Sequence, residues 1–164
     1  MKLYRAAIAA AGLVAVLVAS AASAGDQFKL AAPEGWVKKA GSGMVLAIWV
    51  EPTSNGFHQN LTLLTEPFAG SEADYVAAHK ATTKKSIPGV EFGPEADVKT
   101  CADHPAHFLS FKSTSSGRHL LFEQVVSVWF NRGYVLTYAR DSGEASVDDA
   151  RAALTTLCVR HEGD

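Results

Sequence analysis

Apolar and polar positions are spread unevenly along this chain. From Ala6 to Ala22 the run is apolar almost throughout, behind Lys2 and Arg5 and leading into Ala22-Ser23-Ala24. A basic start, a short apolar core and small residues at its end predict a cleavable secretory signal peptide over residues 1–24. The run is short for crossing about 30 Å of hydrocarbon. Gly25-Asp26 follows it with no basic flank, and no cysteine is placed there to accept a lipid.

Beyond the leader the pattern changes to short runs with period two, broken by turn residues, and two stretches with helical period. Strands are predicted at Phe28–Leu30, Met44–Val50 and Phe57–Thr65, with the cluster Pro52 to Gly56 (PTSNG) as a turn. In Phe57–Thr65, Phe57, Gln59, Leu61 and Leu63 share one face, while His58, Asn60 and Thr62 take the other. With its predecessor this strand reads as an antiparallel hairpin. Ser71 is placed to cap a helix running to about Lys85, with Glu72 and Asp74 at its positive end and Lys84-Lys85 at its negative end. Ile87-Pro88-Gly89 ends it. An extended stretch from Val90 to Lys99, interrupted by Gly93-Pro94, is followed by strands at Ala106–Lys112, Leu120–Phe130 and Tyr134–Arg140.

Between the last two, Asn131-Arg132-Gly133 reads as a three-residue connection with glycine in the left-handed position. That register sets Phe130 opposite Tyr134, Val128 opposite Leu136 and Val126 opposite Tyr138, all on a buried face. The other face then carries Glu123, Val125, Ser127 and Trp129 beside Val135, Thr137 and Ala139, a mixture suited to a binding surface. Ser146 is placed to cap a final helix, with Ala150, Leu154, Leu157 and Cys158 as its inward stripe. The sum is an α+β domain, a mainly antiparallel sheet with helices packed on it.

Removing 24 residues from 164 leaves 140, enough for one domain with a full core (residues 25–164). Lys2 and Arg5 leave with the leader, so 13 basic residues face 17 acidic ones and the net charge becomes −4. So mild a balance gives no reason to expect nucleic acid. The two cysteines, Cys101 and Cys158, suit a disulfide once the chain is exported, with two buried thiols as the alternative. There is no Cys-x-x-Cys, so thioredoxin-type redox chemistry is not indicated.

The order of elements resembles the PsbP-like fold. The matching segments are FKLAAPEGW (Phe28–Trp36), the strand pair, the helix from Ser71 to Lys85, DHPAHFLSF (Asp103–Phe111), the hairpin LFEQVVSVWFNRGYVLTYAR (Leu121–Arg140) and a short last helix. That fold is shared by the extrinsic PsbP subunit of photosystem II and by bacterial envelope proteins such as DcrB and the LpqN lipoproteins. The resemblance implies an α/β/α sandwich and an envelope domain that binds or assists rather than catalyses. No ligand-binding segment of those proteins maps onto this chain residue by residue.

Candidate chemistry is sparse. The chain has no Gly-x-Ser-x-Gly elbow, no His-Glu-x-x-His and no phosphate loop, and no cofactor is implied. Trp129, Ser127, Thr137 and Glu123 form the expected platform for a partner or small ligand. The alternative is a metal site from Asp103, His104 and His107 in CADHPAH. Pro105 excludes a regular helix there, and on an extended chain the odd spacing sends the two histidines to opposite sides. The expected function is therefore an exported, non-enzymatic binding or accessory protein of the bacterial envelope, periplasmic or secreted. Its partner is expected to be an envelope protein or a small ligand, with no membrane span retained after cleavage. A small periplasmic hydrolase is the competing expectation.

Overall fold

A computed structural model describes residues 26–52, 57–115 and 117–161. The predicted leader, the turn from Thr53 to Gly56 and the last three residues lie outside them. Strands β1 (Asp26–Lys29), β2 (Val37–Ala40), β3 (Val45–Val50) and β4 (Asn60–Pro67) precede helix α1 (Glu72–Ser86). Then come β5 (Glu91–Lys99), a 3₁₀ turn (Cys101–Asp103), β6 (Pro105–Ser115), β7 (Arg118–Trp129), β8 (Arg132–Asp141), α2 (Asp148–Ala153) and β9 (Cys158–His161).

Seven strands form one antiparallel sheet in the order β2-β3-β4-β8-β7-β6-β5, and β1 pairs with β9 alone. Both faces of the large sheet are covered. Tyr75 of α1 packs with Leu109, Phe111, Val126 and Val135 on one face. On the other, Ala150, Leu154, Leu157 and Val159 pack on Trp49, Leu61, Leu63, Val125, Leu136 and Tyr138. This is why β7 and β8 read as nearly continuous apolar runs rather than as clean alternation. The antiparallel sheet between helices agrees with the α+β reading.

Helix α1 starts as its sequence requires. The Ser71 hydroxyl accepts from the Asp74 N–H at 3.1 Å, and an Asp74 carboxylate oxygen accepts from the Ser71 N–H at 3.3 Å, a reciprocal capping box. In β4, Gln59, Leu61, Leu63 and Thr65 at and beside the strand are buried on one face, as the alternation predicts.

The C-terminal segment differs from expectation. Helix α2 is only six residues long, Val147 occupies its N-cap with no side-chain bond, and Ser146 does not cap it. Cys158 is not in a helical stripe but opens β9, opposite Lys29. The helical period from Ala150 to Leu157 is real as burial, yet the chain turns to strand because β9 completes a pair with β1. Cys158 is joined to Cys101 by a disulfide, with Cα atoms 5.3 Å apart.

Candidate functional site

The hairpin β7–β8 sets the site, and its register corrects the sequence reading. The turn has two residues, Phe130 and Asn131, both in the left-handed region at φ +49° and +58°. Trp129 pairs with Arg132, Val128 with Gly133 and Val126 with Val135, three positions away from the expected Tyr138. An odd slip moves one strand's side chains to the opposite face. The cause lies in Gly133. A Cβ there would sit 2.1 Å from the ring of Tyr75, so the glycine is demanded by α1 packing and not by the turn.

The expected platform is therefore divided. Glu123, Ser127 and Trp129 share the face of Tyr134, Leu136 and Tyr138, beneath α2 and β9. Ser127 is fully buried and accepts from the Trp129 indole Nε1 at 3.0 Å. Glu123 is buried, with one carboxylate oxygen 2.7 Å from Arg151 of α2 and the other without a hydrogen-bond partner. Thr137 lies on the opposite face, where its hydroxyl accepts from Gln124 Nε2 at 2.9 Å. Gln124 Oε1 in turn accepts from His79 Nε2 at 2.9 Å. Burial of His79 lowers its pKa below the ordinary histidine value, with the Gln124 bond opposing in part.

Nor does the structure bring the three candidate metal ligands together. Asp103 is exposed and pairs with Lys99 at 3.2 Å. His107 lies on the α1 side, its Nδ1 2.9 Å from Asp97 and its Nε2 3.3 Å from Glu95. Glu95 also holds Lys80, and the hydrogen bonds it accepts, first from Lys80 and then from His107, keep its carboxyl below the usual range. His104 turns to the other side and stacks flat on Trp129, with ring centroids 3.4 Å apart and planes 16° from parallel. Its Nε2 donates to the Val128 carbonyl at 2.9 Å. Burial lowers the His104 pKa, opposed by that hydrogen bond. Among the described residues no group of three or more His, Cys, Asp or Glu side chains is placed to hold a metal ion.

What emerges at the β7–β8 end of the sheet is an aromatic rim. Trp129 rests on His104 within, and the ring of Phe130, 6.3 Å from Trp129, stands 46% exposed at the tip. The Phe68 N–H donates to the Asn131 carbonyl, and the Thr65 N–H donates to the Met44 carbonyl. These bonds place the β2–β3 turn and the chain leaving β4 beside the same tip. Among the described residues the exposed large apolar side chains are Val37, Met44 and Phe130, and the last two stand at this end of the sheet.

Phe130 went unrecognised in the sequence because a three-residue turn makes it a core residue. The signal that could have found it is Asn131, which suits a two-residue turn needing positive φ at both positions. A bulky side chain in the left-handed region is strained by about 1–3 kcal/mol. Asparagine or glycine would occupy position 130 with less strain, and neither would expose an aromatic ring.

No family model and no curated protein matches the sequence. Solved structures do match. LpqN of Mycobacterium tuberculosis, described as involved in cell envelope biogenesis, superposes with a TM-score of 0.60 at 14% identity, over 82% of this chain and 83% of that one. The cyanobacterial PsbP of Synechocystis does so with a TM-score of 0.56 at 12% identity, over 88% and 99%. The Pseudomonas aeruginosa protein PA94, of unknown function, gives 0.52 at 20% identity, over 67% and 74%. At such identities the likeness is one of fold, and the fold of this chain is PsbP-like.

Proposed function

We propose that the chain is an exported, non-enzymatic binding domain of a bacterial envelope, and that it docks a protein partner by seating Phe130 in an apolar pocket of that partner. The observation that carries this reading is the exposed Phe130 ring held at positive φ beside the His104–Trp129 stack. Strain kept at an exposed position points to use rather than to stability. Aromatic anchors at the centre of an apolar patch are the groups that dominate protein interfaces.

Export is supported by the disulfide, which belongs to an oxidising compartment, and by the envelope role given for LpqN. No helix of the described residues is long and apolar enough to cross a membrane. A non-catalytic role is supported by the closed state of the face expected for a hydrolase, where Ser127 is sealed and Glu123 is held by Arg151.

The test is site-specific photocrosslinking in the native envelope, with benzoylphenylalanine at position 130 and, as a control, at Val37. A discrete adduct from position 130, displaced by excess wild-type protein and absent from position 37, is the expected result. Equal labelling from both positions, or none from 130, overturns the reading.

A further inference from the structure

We infer that a second site lies at the opposite end of the sheet from the rim, and that it takes a small zwitterion carrying both an ammonium and a carboxylate, of the amino-acid or short-peptide class. A cleft of about 380 Å³ opens there, lined by Glu91 of β5, Lys112, Ser113 and Thr114 of β6, His119 of β7 and Ser142 after β8, with Gly89 at its edge. It is separated from Trp129 by nearly the full length of β7, about 30 Å at the rise of a strand. The cleft is thus independent of docking at the rim.

Charge decides the ligand class. Glu91 and Lys112 stand directly opposite each other on neighbouring strands. Neither makes an ion pair or a side-chain hydrogen bond with any described residue. A ligand of one sign meets one favourable and one repulsive charge here, which largely cancel. A ligand with both signs satisfies Lys112 with its carboxylate and Glu91 with its ammonium.

Hydroxyls complete the lining: Ser142 contributes one, and Thr114, on the same face of β6 as Lys112, holds His119 at 3.0 Å between Oγ1 and Nδ1. Such groups suit the amide and carboxylate of a peptide. The volume lies at the small end for ligand sites and fits one or two amino-acid residues.

The test is an amide-resolved NMR titration of the mature chain with alanyl-alanine. Its acetylated and amidated derivative, which lacks both charges, is titrated in parallel, as are inorganic phosphate and sucrose. Saturable shifts centred on Lys112, Thr114, His119 and Ser142, given by alanyl-alanine alone, are expected. Glu91→Gln and Lys112→Met should each weaken the affinity about fivefold, and Ser142→Ala about threefold, the scale of one exposed polar contact. The same spectra report whether each variant is folded. Equal binding of the uncharged derivative, phosphate binding that survives Lys112→Met, sucrose binding at these amides, or no shift with the dipeptide overturns the assignment.

Discussion

At the scale of single residues, position 130 carries opposed demands. The turn asks for a side chain that tolerates the left-handed region, and the surface displays an aromatic ring there instead. Phe130→Asn should therefore stabilise the fold by about 1 kcal/mol, read as a higher urea midpoint at unchanged slope. The same variant should lose the envelope adduct, scored with the crosslinker moved to Met44. Three residues on, the demand is steric. Gly133→Ala drives a methyl group into the Tyr75 ring. Overpacking against a buried, hydrogen-bonded tyrosine should cost about 3 kcal/mol or more, and denaturant unfolding would show it.

His79 supplies a residue-scale dependence on pH. It faces Gln124 directly and the Tyr75 ring at 6.4 Å, and Glu66 exerts a weaker pull in the opposite sense to burial. Its pKa is lower folded than unfolded, so as pH falls below the ordinary value of 6.5 the unfolded chain takes up the proton first. Stability from this group is full above that pH and declines below it. His79→Gln should flatten the fall in unfolding free energy between about pH 7.5 and 5.5. An unchanged slope would show that His79 does not carry the effect.

At the scale of elements, what was legible in the sequence is what local chemistry alone determines. Ser71 and Asp74 are three apart at the mouth of a helix, and they cap it. Gln59, Leu61, Leu63 and Thr65 alternate, and the alternation is the buried face. The register of β7 on β8 was not legible, because one glycine near a turn admits two explanations. Its real cause, the ring of Tyr75 some sixty positions away in the chain, is a tertiary contact. With the register went the candidate site. Thr137 left the platform for the α1 face, and Trp129 kept its place but gained His104, a residue whose chemistry had made it a candidate metal ligand. The end of α2 failed for a similar reason. Period alone continued the helix through Leu157 and Cys158, whereas the pairing of β9 with β1 ends it.

At the scale of the molecule, the large sheet is continuous, but one of its covers is not part of it. Strands β1 and β9 pair only with each other. They are held over the α2 face by Phe28 edge-on to Trp49, by Val159 in the core and by the link from Cys158 to Cys101. The closed loop spans 57 residues, for which chain entropy gives a stabilisation of about 4 kcal/mol. Reduction, or the pair Cys101→Ala with Cys158→Ala, should lower the unfolding free energy by about that amount. The loss should also be local before it is global. Backbone bonds within the seven-stranded sheet do not depend on the disulfide, while β9 is tied to that sheet's connections chiefly through it and the bond from the Cys101 N–H to the Leu157 carbonyl. Hydrogen exchange of the reduced protein should therefore show protection lost first over residues 26–30 and 156–161, with β4, β7 and β8 still protected. Uniform loss across all strands would mean that the cover and the sheet open as one unit, and that the disulfide secures the whole fold rather than one of its layers.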